Sequence, residues 1–208
     1  MPVARIVGTL PVIAAVVLTA ALLTPFAAAQ EAPVRVRGTI ERVDGGAYHV
    51  QSREGTRLVL RLAPKASVTA IKPASRADIK AGSYIGVTGT PMANGNQKAL
   101  EIHIFPEAMR GAGEGFRAWD LKPESTMTNA SVDATVASTD GQVLTLKYKD
   151  GQKLILVPDG IPIVTFAPAG TGDLKPGAQI FVGAAHKLPD GTLEAARVSV
   201  GKGVAPPM

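Results

Sequence analysis

The chain has no cysteine in 208 residues, which excludes disulfides, thiol nucleophiles and thiolate metal sites. Aromatic residues are only 4% of it, too few for the stacking platforms that hold single-stranded nucleic acid. The formal net charge of +5 comes from scattered residues with no lysine or arginine run, so no nucleic-acid partner is expected. After residue 29 no apolar run approaches the length of a membrane span, which excludes a multi-pass membrane protein. Catalytic signatures are missing too. There is no G-x-S-x-G elbow, and "GAGEG" at Gly111–Gly115 lacks the lysine and hydroxyl that end a phosphate loop. The chain reads as non-enzymatic.

The N-terminus is a leader. Arg5 supplies a positive start, Ile6 to Leu23 is uncharged and apolar, Pro25 breaks it, and Ala27-Ala28-Ala29 forms a small-residue cleavage pattern before Gln30. Residues 1–29 are therefore expected to be a signal peptide. Retained, they would be the chain's one contact with a membrane. Export to a bacterial periplasm follows, where a cysteine-free chain is indifferent to oxidising conditions.

What remains is built twice. "GTIERVDGGAYHVQSREGTRLVLRL" (Gly38 to Leu62) matches "ATVASTDGQVLTLKYKDGQKLILVP" (Ala134 to Pro158) in pattern. Both read strand, Asp-Gly turn, strand, Gly-containing turn, strand, because glycine takes the positive φ that tight hairpins demand. "SVTAIKPASRADIKAGSYIGV" (Ser67 to Val87) then aligns without gaps to "PIVTFAPAGTGDLKPGAQIFV" (Pro162 to Val182), and "NGNQKALEIHI" (Asn94 to Ile104) to "DGTLEAARVSV" (Asp190 to Val200). Leu58, Leu60 and Leu62 should face one way and Arg57, Val59 and Arg61 the other, with Leu154, Leu156 and Val143 doing the core-facing work in the second copy. A short meander hides its edges only by curling, so the expected fold is all-β: two tandem small OB-like barrels. The expected division is a first barrel over 30–105, an interdomain strap over 106–130, a second barrel over 131–202 and a tail over 203–208.

The pattern resembles OB-like domains of exported bacterial proteins of unknown function. It is carried here by Gly38, Ile40, Val43, Asp44 and Gly45, then Asp78, Ile79, Lys80, Gly82, Ile85, Val87 and Gly89. The second copy departs from it at Ala134 and Ala184. The resemblance implies a fold and no chemistry. Some chains of this kind carry the name of metal transporter permease, which the hydropathy contradicts.

Three places could form a site. The repeated Asp-x-Lys-x-Gly (Asp78, Lys80, Gly82; Asp173, Lys175, Gly177) reads as structure: a capping aspartate, an apolar plug between, and a special-φ glycine. Glu101 and His103 share a strand face, and Glu107 follows closely. The three could offer mixed oxygen and nitrogen ligands to a divalent metal ion. The strap adds Phe105, Met109, Phe116, Trp119 and Leu121 to glycine and charge, and such side chains should bury, with "PEAMRG" forming a helical turn. On an irregular or helical turn Phe116 and Trp119, three apart, can face one surface, and Glu114, Arg117 and Trp119 are the candidate partner-binding residues. These observations point to a binding protein for a small ligand or an envelope partner. A metal-handling accessory and a structural or stress-protection protein of the envelope are the alternatives.

Overall fold

Among the described residues, twelve strands carry nearly all of the regular structure: β1 Val34–Asp44, β2 Ala47–Ser52, β3 Arg57–Pro73, β4 Tyr84–Pro91, β5 Gln97–Ile104, β6 Gly115–Ala118, β7 Thr126–Ser138, β8 Gly141–Tyr148, β9 Gly151–Val157, β10 Ile163–Pro168, β11 Gln179–Lys187 and β12 Leu193–Gly201. The computed structural model describes Met1, residues 32–138 and residues 141–206. The expected leader, apart from Met1, lies outside the described residues, as do Asp140 of the second Asp-Gly turn and tail residues 207–208.

The strands close two OB-like barrels. In barrel 1, β1 pairs β2, β2 pairs β3, β3 pairs β12, β12 pairs β11, and β11 returns to β1. In barrel 2, the same ring is β7, β8, β9, β5, β4 and back to β7. In each ring one pair, β3 with β12 and β9 with β5, runs parallel and every other pair is antiparallel. Closure removes the sheet edges that an open meander would expose. Barrel 1 is filled by Val36, Ile40, Val50, Leu60, Val182 and Val198 among others, barrel 2 by Ile85, Val87, Ile102, Leu144, Leu146 and Ile155.

The expected division into barrels over 30–105 and 131–202 does not hold. Barrel 1 takes β1–β3 from the first repeat and β11–β12 from the second. Barrel 2 is the continuous stretch from β4 to β9, inserted between them. Each repeat therefore gives three strands to one barrel and two to the other. Arg76 clamps the two crossings together, donating to the Pro158 carbonyl at 2.8 Å and pairing with Asp159 at 2.7 Å.

The short turns before β4 and β11 behave as their sequence suggests. Asp78 accepts the Ser75 N–H at 2.8 Å, and Asp173 accepts the Gly170 N–H at 3.0 Å. Ile79 then plugs barrel 2 and Leu174 plugs barrel 1. Gly82 and Gly177 leave the turns at φ +82° and +85°, a conformation that a side chain would strain.

In the second repeat the inward face is not the expected one. Leu154 is 38% exposed, and Leu156 and Val143 are half-buried, whereas Leu144, Leu146, Ile155 and Val157 are core. Four residues (53–56) join β2 to β3 but only two (149–150) join β8 to β9. Leu58 pairs with Val50, while Lys153 pairs with the corresponding Leu146. The shorter loop slips the strand, and a slip of one residue moves every side chain to the other face.

Candidate functional site

β5 brings Glu101 and His103 to one face of barrel 2 while Ile102 points into its core. Neither polar side chain is exposed. Glu101 is 3% accessible and His103 fully buried, under Phe166 with ring centroids 6.0 Å apart. Burial pushes the Glu101 carboxyl up to about 7, against the opposing pull of its 2.8 Å hydrogen bond from Thr88 and of the Arg37 and Arg53 charges. Burial pulls the His103 imidazole down to about 3, so the ring is neutral at physiological pH, and among the described residues neither nitrogen has a hydrogen-bond partner. Glu107 does not join them. It is exposed in the turn Glu107–Met109, where Arg110 grips both carboxylate oxygens and holds its pKa low. The set Glu101, His103, Glu107 is thus not assembled as metal ligands. Among the described residues, no three histidine, aspartate or glutamate side chains gather in a metal-holding group.

The strap is packed. Phe105 stacks on Phe166 at 5.1 Å and lies 5.4 Å from Tyr84. The Arg35 guanidinium lies 4.0 Å from the Trp119 ring centroid, and Asp120 pairs with Arg35 at 3.2 Å and with the buried Arg37 at 2.8 Å. Burial works against the Asp120 charge, but the two guanidinium bonds outweigh it and hold the carboxyl low. Trp119 and Arg117 are both half-buried, with the Arg117 guanidinium 5.5 Å from the indole and bonded to the Gly113 carbonyl. Glu114 accepts the Lys149 N–H at 2.9 Å. Glu114 and Trp119 therefore tie the strap to the barrels, while the Arg117 side chain braces the strap from within. Phe116 breaks the expectation: Gly115–Ala118 is a strand, not a helical turn, and leaves Phe116 42% exposed beneath Lys153.

Three clefts lie elsewhere, around β1, β2 and β3 of barrel 1, apart from one of about 300 Å³ at the junction by Lys72, Ile104 and Thr165. A cleft of about 440 Å³ is lined by Gly38, Glu41, Gln51, Arg53 and Pro206, among others. A second, of about 190 Å³, shares Glu41 and adds Arg42, His49 and Arg57. A third, of about 380 Å³, shares Arg57, Leu58 and Val59 with the second and reaches Val34 and the β11–β12 turn at Asp190–Thr192. Shared walls join the three. The face of the second and third strands with the turn between the fourth and fifth is where OB barrels hold oligomeric ligands. On barrel 2 the corresponding face carries Val143, Thr145, Leu154 and Leu156, with neither arginine nor histidine. Comparison with protein-family models, curated proteins and solved structures finds no match to this chain.

The cleft residues were not among the sequence-predicted site. Their one signal was the outward alternation Arg57, Val59, Arg61, which marks an exposed strand face without saying that it is concave.

Proposed function

We propose that the chain is an exported, non-enzymatic binding protein that takes a ligand or envelope partner on barrel 1, across the joined clefts of the β1–β2–β3 face. The observation that carries this reading is the run of three clefts with common walls at Glu41 and at Arg57–Val59. Binding sites are concave, with a few convergent polar groups over apolar floor, and this face combines Arg42, Arg53 and Arg57 with Val59. The periplasm is the compartment that the leader motivates. A photo-reactive residue placed at Val59 or at Gln51, in chain mixed with envelope extract, should cross-link. The same residue at Thr145 on barrel 2 should not. Equal labelling at all three positions, or none at Val59 and Gln51, removes the reading.

A further inference from the structure

The two barrels differ at one strand edge. In barrel 2, the first part of β7 is paired on both sides, with β4 and with β6, through Thr126–Asn129. Ile85 and Ile180 are equivalent in the repeats. Ile85 faces Ala130 and Ile180 faces Gly38, so residues 126–129 of β7 correspond to residues 34–37 of β1. There, β11 covers one side. On the other, β2 ends at Ser52, and the last contact is the Arg53 N–H to the Arg37 carbonyl at 2.7 Å. Among the described residues no strand continues along that side of Val34–Val36. Backbone groups alternate along a strand, so Arg35 presents its N–H and C=O to the side that Arg37 uses.

The clefts meet this edge at both ends. The largest touches Gly38 and Arg53, and the one at the barrel mouth touches Val34 and Leu58. Arg53 lines the first of these clefts and Arg57 the second, and Val34, 44% exposed, offers apolar floor. Glu41 sits where two clefts join and would oppose a chain charged at every unit. The described lining holds no phenylalanine, tyrosine or tryptophan on which a nucleobase could stack. An extended peptide with carboxylates at intervals and apolar residues between them fits both the edge and the charges.

Resting on the binding reading above, we infer that an extended acidic segment of another protein adds to β1 along Val34–Val36 as a sixth strand of barrel 1, the place that β6 takes in barrel 2. Strand addition draws affinity from main-chain bonds and specificity from alternate side chains. The test is fluorescence anisotropy of the full mature chain with a labelled, end-blocked eight-residue peptide alternating glutamate and valine. It should bind, and more weakly as salt rises. Methylating one alternate set of its amides should lower affinity by about tenfold or more, and the other set should not. The double variant Arg53→Ala, Arg57→Ala should lower it by a similar factor, with circular dichroism unchanged. Equal affinity for both methylated peptides overturns strand addition. Tighter binding of polyphosphate than of the peptide overturns the peptide in favour of a plain polyanion. A dimer of the chain that the peptide dissociates gives the edge to a second copy and overturns the inference too. If the peptide fails while the Val59 cross-link forms, this inference falls alone; if both fail, the binding reading falls with it.

Discussion

Ile71 and Phe166 face each other across the antiparallel pair of β3 and β10, and they are equivalent positions of the two repeats, 95 residues apart. Ala70 faces Ala167 and Lys72 faces Thr165, pairs that exchange when the repeats are exchanged. The pairing is self-complementary in the way of a two-fold interface, here within one chain. The same relation maps β10 against β5, where Ile163 faces Ile102, onto β3 against β12, where Val68 faces Val198. Because β10 joins the sheets of both barrels, damage at this junction should be felt by both. Ile71, fully buried, when changed to alanine should cost about 2–5 kcal/mol in urea unfolding. The transition should stay single, whether followed by Trp119 fluorescence or by far-ultraviolet circular dichroism. Two separated transitions would show the barrels to be independent.

Glu101 should make stability depend on pH. Its carboxyl is raised in the folded chain from an ordinary 4.5 to about 7, so folding favours the protonated form. That contribution is fully present below about 4.5 and is lost as pH rises through about 7. The loss is on the order of 3 kcal/mol. Glu101→Gln should therefore be more stable than the parent at pH 8 and close to it at pH 4.5. Denaturant midpoints across that range check the sign, and parallel curves for the two proteins would refute it.

His103 carries two buried nitrogens without partners among the described residues. An unsatisfied buried polar group costs about 1–3 kcal/mol. His103→Phe, which keeps a ring beside Phe166, should raise stability by about 1 kcal/mol. A loss of that size in thermal unfolding would mean that the nitrogens are engaged, and dialysis against a chelator would then show whether a metal engages them.

Trp119 and Phe116 should separate in a stability assay. Trp119→Ala removes a half-buried indole under Arg35 and should cost about 2 kcal/mol, with native emission blue-shifted from the unfolded chain. Phe116→Ala, at an exposed position, should stay within about 0.5 kcal/mol.

Much of this was legible in the sequence because it is local. Apolar alternation marks the strands, acid-glycine pairs mark their turns, and the repeated Asp-x-Lys-x-Gly places Ile79 and Leu174 as plugs. The all-β class and the two barrels follow from those patterns. Faces were legible where loop lengths agree, as at Leu60, and lost where they differ, as at Leu154. Tertiary structure alone decided which halves join. Two similar repeats carry the same pairing information, so nothing in either says whether β1–β3 closes with β4–β5 or with β11–β12. The crossings held by Arg76 and the sheet that β10 bridges settle it. That choice also buries Glu101 and His103, whose alternation on β5 would suit a solvent face equally well, and it leaves the edge of β1 between two clefts. Sequence sets the period of each strand; what lies across from it depends on contacts distant in the chain.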